Sequence, residues 1–251
     1  MNNRENSVVV IVLPAYNAAK TLWKTLEEIP SAFREHIILV DDASTDNTVD
    51  AARQAGLMVF VHPKNRGYGG NQKTCYTEAL KLGADVVVML HPDHQYDAKV
   101  IPDMIKPILA GQADAVFGSR MLGGRPLEGG MPLWKYTANV FLTAFANITF
   151  RRYLTEIHSG FRAYSRKYLE NIRFLENSDD FIFDTEIIAQ GMMSNLTFQE
   201  VPIVTRYFPE ASSISFFRST VYGFGILWVL LKFSLHKIGL AKFRQFTQFN
   251  S

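Results

Sequence analysis

The stretch "VVVMLHPDHQYD", Val86–Asp97, runs apolar for five residues and then turns abruptly polar. A short apolar run that ends at charge predicts a strand buried on both faces, delivering its last residues to a surface. The same pattern recurs on either side of it. "SVVVIVLPAYN", "HIILVDDASTDNT" and "LMVFVHP" precede it, and "ADAVFGSR" follows it. Between these runs, residues 18–26, 69–83 and 98–111 carry helical spacing, the second closing at Gly83. Strands that alternate with helices predict an α/β fold with a mostly parallel sheet covered by helices on both faces. Ligands of such sheets bind outside the carboxyl ends of the strands. Asp41-Asp42, Asn65-Arg66 and His91 to Gln95 all follow strands, and are expected to converge on one rim.

After Arg120 the pattern changes. "MLGGRPLEGGMP" is rich in Gly and Pro and reads as a loop. A helical aromatic stretch (Trp134 to Phe150), a short strand near Phe161 to Ser165, a helix from about Asp184 and a late strand in "NLTFQEVPIVTRYF" follow. Residues 1–215 then read as one folded unit, with 7–120 and 121–215 as its two halves. Residues 216–251 form an amphipathic, basic helical segment.

Composition narrows the function classes. Of the 251 residues, 47% are hydrophobic, enough for a sizeable core, and the net charge of +2 gives no support to nucleic-acid binding. One cysteine, Cys75, excludes an internal disulfide or a Cys-based zinc site and fits a reducing cytoplasm. No segment reaches the roughly 20 apolar residues of a membrane span. The start reads as a strand and not as a signal peptide. From Arg206 onward, Arg206, Arg218, Lys232, Lys237, Lys242 and Arg244 face one acid, Glu210. With "VYGFGILWVLL" among them, residues 216–244 suit a helix in a membrane interface, or one packed on the body or on a second copy.

Several residue types point to chemistry. On an extended backbone His91, Asp93 and Gln95 share one side. A carboxylate, an imidazole and an amide oxygen make a divalent-metal site with positions left for phosphate oxygens. The competing reading is a polar loop in which Asp93 caps the next turn. Asp41 or Asp42 suits a base or ribose contact, while Ser44 to Asp46 suits a helix cap. "NRGYGG" is neither a dinucleotide fingerprint nor a P-loop.

As an ordered set, "VLPAYNAAKTL", "ILVDDASTDNT", "NRGYGGNQKT", "HPDHQYD", "FGSR" and "SGFRAYSR" resemble family 2 glycosyltransferases of the GT-A, Rossmann-like fold, nearest the polyprenyl-phosphate (dolichyl-phosphate) mannose or glucose synthases. The likeness spans about residues 7 to 215. It implies an inverting, divalent-metal (Mg or Mn) enzyme using a UDP- or GDP-sugar, with Asp93, Gln95 and His91 at the metal; His91 replaces the usual first acid. It places Pro14, Tyr16, Asn17, Asp41, Asp42, Lys73 and Asp93 around the nucleotide sugar, with Ala18 where an acid is usual. It places Arg120, Lys135 and Arg206 around an acceptor phosphate, Lys135 standing for an arginine. His158 would approach the metal or be structural, and Arg162 would pair with an acid beneath the site. Asp184 matches the base of members with hydroxyl acceptors; for a phosphate acceptor it would position groups. The implied acceptor is a polyprenyl phosphate, or else a glycan hydroxyl. The implied location is peripheral at the cytoplasmic face of a membrane. A non-catalytic sugar-nucleotide-binding protein is the alternative of another class.

Overall fold

The computed structural model describes residues 7–123, 126–206 and 216–247, without the side chains of 216–218. Its elements run β1 (Val9–Ala15), α1 (Leu22–Glu28), β2 (Ile37–Asp41), α2 (Thr48–Gln54), β3 (Met58–Val61), α3 (Gly67–Lys81), β4 (Val86–Met89), α4 (Ile101–Leu109) and β5 (Ala115–Ser119). Then come α5 (Leu133–Phe150), β6 (Arg162–Ser165), α6 (Arg166–Glu170), α7 (Phe183–Met193), β7 (Phe198–Pro202) and α8 (Phe216–Lys237). The strands form one sheet in the order β3-β2-β1-β4-β6-β5-β7. All pairings are parallel except those of β6, which runs antiparallel to β4 (Met89 opposite Arg162) and to β5 (Phe117 opposite Arg162).

The reversed strand matters for the site. Parallel strands present their ends at the carboxyl rim, whereas β6 presents its beginning there. Residues just before Arg162 therefore join residues just after β1, β2, β4 and β5.

Side chains of β1 alternate between two cores, as the two-residue period of a strand demands. Val10 and Val12 pack with Tyr76 of α3, Ile187 of α7 and Phe233 of α8. Ile11 and Leu13 pack with Leu22 of α1 and with Ile101 and Met104 of α4. Helix α8 is part of the first core: Ile226, Val229, Leu230 and Phe233 are buried, the last crossing Phe150 edge-on at 4.9 Å. Among the described residues no helix is long and apolar enough to cross a membrane.

Two helix starts differ from the sequence expectation. Ala18 to Thr21 form a turn, with Thr21 N and Leu22 N both donating to Ala18 O, and α1 begins after it. Helix α3 begins earlier, at Gly67, because the Asp42 carboxylate accepts from Arg66 N (2.8 Å) and Gly67 N (3.0 Å). A carboxylate there satisfies amides that the first turn leaves without helical partners.

Candidate active site

The loops after β1 and β2 are laced together. Thr45 N donates to Asn17 Oδ1 (2.8 Å), Asn17 N to Ser44 Oγ (2.8 Å) and Ala18 N to Thr48 Oγ1 (2.8 Å). Asn17 sits at φ 53, in the left-handed region that Asn tolerates better than most residues. This fixes Tyr16 as a ring 55% exposed on the rim. Asp42 has little freedom: besides the two amides of α3, its carboxylate lies 2.7 Å from His62 Nδ1. Asp41 is fully buried, with Oδ2 accepting from Ser44 N (2.9 Å) and Oδ1 without a partner.

Lys73 departs from its expected place by the nucleotide sugar. It is buried away from the cavity, where Nζ meets Asn177 O and Asp179 Oδ1 (2.6 Å). Beside it, Gly69 N and Gly70 N donate to Asp179 O. The glycines of "NRGYGG" serve this approach: a Cβ on Gly67 would lie 2.6 Å from Asp179 O, and one on Gly69 would lie 2.8 Å from Phe183 Cβ. The motif clamps α3 onto residues 177–180.

At the exit of β4 the chain does not stay extended. Asp93 Oδ1 accepts from Gln95 N (3.1 Å) and His94 turns left-handed at φ 60, so the alternation invoked for His91, Asp93 and Gln95 is broken. All three nevertheless line one cavity of about 660 Å³, together with Pro14, Tyr16, Asn17, Asp42, Arg120 and Lys135. The His91 ring is seated on Gly160, where a Cβ would come within 2.7 Å of Nε2. Tyr68 stacks between His91 and Phe181 and places its hydroxyl 3.3 Å from Nε2. Burial lowers the pKa of His91, with Asp93 and Asp184 opposing, so the imidazole is neutral near pH 7.

Asp184 opens α7, lines the cavity and is engaged on both oxygens. Oδ2 takes the Tyr68 hydroxyl (2.9 Å) and the Arg162 guanidinium (3.3 Å), and Oδ1 takes Gln72 Nε2 (3.1 Å). Arg162, 1% exposed, also donates to the carbonyls of Ser159, Ile157 and Asp184, which meets the cost of burying its charge.

Arg120, after β5, is held by fully buried Glu156, which accepts from its backbone N (2.8 Å), Nε (2.8 Å) and Nη2. Lys135 on α5 lines the same cavity; burial, then the Arg120 charge, lowers its pKa. Arg206 is not with them. Its guanidinium pairs with Glu28 (2.8 Å) and approaches His94 Nε2 (3.2 Å), outside the cavity lining.

Across the rim the cavity thus runs from Tyr16 and Asp42, past Asp93, to Arg120 and Lys135. A model of glycosyl transferase family 2 matches residues 10–173, from β1 to just past α6. The chain belongs to that family. An uncharacterized protein of Methanocaldococcus jannaschii is 30% identical to this glycosyltransferase over 231 residues, covering 92% of this chain and 94% of that protein. The UDP-N-acetylglucosamine–dolichyl-phosphate N-acetylglucosaminyltransferase of Methanococcus voltae is 27% identical over 252 residues, covering 93% and 98%. Among solved structures, glucosyl-3-phosphoglycerate synthase from Mycobacterium tuberculosis, in complex with Mn2+, UDP and phosphoglyceric acid, matches with a TM-score of 0.68 at 18% identity, covering 92% and 80%. That likeness establishes the GT-A fold.

The cavity involves residues that the sequence did not single out: Tyr68, Asn139 and Tyr222 line it, and Gln72 and Glu156 hold Asp184 and Arg120. Glu156 stands three residues before the quoted "SGFRAYSR" motif and was within reach of a charge-pairing argument. Tyr222 lies beyond the family match, on a helix whose pattern is dominated by its apolar face.

Among the described residues no three His, Cys, Asp or Glu side chains gather closely enough to hold a metal alone. One carboxylate (Asp93), one neutral imidazole (His91) and one amide (Gln95) suit an ion whose remaining positions are filled by diphosphate oxygens. The set fits a metal bound jointly with a nucleotide.

Proposed function

We propose that this glycosyltransferase moves a sugar from a nucleoside diphosphate sugar to a polyprenyl phosphate, inverting the anomeric carbon. The observation that carries the reading is the set of groups lining the 660 Å³ cavity, which the strand order arrays from an exposed aromatic ring and a carboxylate, past Asp93, to two cations. Tyr16 stacks on the base. Asp93, His91 and Gln95 hold a divalent metal with the diphosphate; when bound, that metal offsets the charge of the leaving group. Arg120 and Lys135 receive the acceptor phosphate, whose oxygen is already an anion and attacks without a base.

The state of Asp184 favours this acceptor over a glycan hydroxyl. A general base needs a free oxygen facing the nucleophile, and both carboxylate oxygens of Asp184 are engaged by Tyr68, Arg162 and Gln72. Asp184 instead balances Arg162 and positions Tyr68 at the cavity wall. The methanococcal relative, named for a dolichyl-phosphate acceptor, supports the same choice.

A lipid acceptor requires a membrane surface nearby. Helices α5 and α8, which contribute Lys135, Ser219 and Tyr222 to the cavity, expose Phe141, Phe145, Ile148, Phe224 and Trp228 on their outer sides. Neither helix contains an acid. Such a face suits the interface of an anionic membrane.

The test is a release assay. The protein meets UDP- and GDP-sugars with Mn2+ or Mg2+, with and without a short polyprenyl phosphate. Nucleotide release that requires both metal and lipid phosphate is the expected result. Release that instead requires a sugar hydroxyl acceptor, or binding without release under any acceptor, would overturn it; the latter supports a non-catalytic role.

A further inference from the structure

Two cavity residues have no part in that mechanism, His158 in the loop before β6 and Asn139 on α5. Both are short of hydrogen bonds. Neither ring nitrogen of His158 has a partner of proper geometry, nor has Nδ2 of Asn139, although all three atoms are buried. Native proteins keep few such atoms, because burying them without a partner is destabilising. The pair is close: the Asn139 backbone lies near enough to the His158 ring to favour its charged form slightly. The ring of Tyr222 packs edge-on against that imidazole at 6.2 Å. Burial, aided by Arg120 and Arg162 and opposed by Glu156, takes the His158 pKa down to about 4, so the ring is neutral near pH 7.

Their position along the rim says which part of a substrate they meet. Strand order sets the sequence of groups as β2, β1, β4, β6, β5. Asp42 and Tyr16 follow the first two, Asp93 follows β4, His158 precedes β6, and Arg120 follows β5. A nucleotide sugar laid along this rim, with its base at Tyr16 and its diphosphate at Asp93, brings its sugar to β6. Resting on the donor reading above, we propose that His158 and Asn139 seat the uncharged hydroxyl or amide substituents of the donor's sugar ring. The chemistry matches. A neutral imidazole offers one donor and one acceptor, and the Asn139 amide offers an unused donor. A hydroxyl or an acetamido group can use both kinds. A phosphate only accepts, and would leave the imidazole lone pair facing negative charge. The cations Arg120 and Lys135 stay with the charged acceptor.

The experiment titrates UDP, GDP and their hexose and N-acetylhexosamine derivatives, with Mn2+, into wild type, His158→Phe, Asn139→Leu and His158→Gln by calorimetry. Melting temperatures are recorded without ligand. For the best-bound nucleotide sugar, the ratio of its affinity to that of its parent nucleotide falls roughly five- to tenfold in His158→Phe and in Asn139→Leu. Parent-nucleotide affinity stays within about twofold, and His158→Gln, which keeps a donor and an acceptor, recovers part of the ratio. Melting temperature is held or raised in Asn139→Leu, since an unpartnered polar group has been removed. An unchanged ratio in both apolar variants overturns the proposal and leaves the donor reading standing. So does a drop in melting temperature with sugar and parent nucleotide weakened equally, which marks a structural role. A wild type that binds none of these nucleotides overturns both.

Discussion

The two ends of the cavity treat their polar groups in opposite ways. At the Tyr16 end they bind one another: Asp42 collects His62, Arg66 N and Gly67 N, and Asn17 collects Thr45. Behind that end Lys73 collects Asn177 and Asp179, leaving Asp41 Oδ1 and Asn177 Oδ1 as exceptions. At the α5 end Asn139 Nδ2, Thr143 Oγ1 and both His158 nitrogens have no partner of proper geometry, and burial, then the charge of Arg120, lowers the pKa of Lys135. A surface that meets a constant group can be saturated in advance and made rigid. A surface that must read one sugar and one acceptor has to keep its hydrogen bonds unspent, at a cost in stability.

Substitutions can break or sharpen this contrast. The largest effect is expected at the seam between the ends: Asp93→Asn should lower kcat about a thousandfold, or about 4 kcal/mol of transition-state stabilisation, even with metal in excess. Near-normal turnover at saturating Mn2+ would remove Asp93 from the metal. Next is Asp42→Ala, which strands Arg66 N and the His62 ring nitrogen in the saturated end and should cost about 3 kcal/mol in denaturant unfolding. If it proves as harmless as Asn139→Leu, the two ends do not differ. The smallest effect separates the cations. Lys135→Ala should raise KM for the lipid phosphate about tenfold with KM for the donor unchanged, the scale of one charge-assisted hydrogen bond. Arg206→Ala, which breaks only a rim pair with Glu28, should change either KM less than about twofold. Equal effects would return Arg206 to the acceptor site.

Much of the fold was legible because each strand carried its own signal. Apolar runs closed by Asp42, His91 or Arg120 announced both the sheet and the rim, and the resemblance carried by "SGFRAYSR" implied that Arg162 pairs with an acid, which is Asp184. The reversal of β6 was not legible. Four residues, Arg162–Ser165, set no direction of their own, and their pairing depends on β4 and β5, far off in sequence. Lys73 and Arg206 were misplaced for a related reason. Their partners, Asp179 and Glu28, lie 106 and 178 residues away, and a cation on a helix face or after a strand looks the same whether it meets a substrate or a distant carboxylate. His158 was visible as a choice between metal and structure; only its unpartnered nitrogens indicate a third use.

The placement of α8 bears on where this protein can be cut. The family match ends at residue 173, and the break in composition near 215 invites division there. Yet Ile226, Val229, Leu230 and Phe233 are buried against the sheet side of the molecule, and Ser219 and Tyr222 wall the cavity. At about 2 kcal/mol for each buried apolar side chain, those four account for roughly 8 kcal/mol. That is comparable to the whole stability of an ordinary domain, about 5–15 kcal/mol. A fragment ending at 215 would lose its fold along with its last helix. Grafting a different tail onto this enzyme therefore has to begin no earlier than Thr247, because Phe246 is buried in the same core and Gln190 and Arg173 donate to the carbonyls of Gln245 and Thr247.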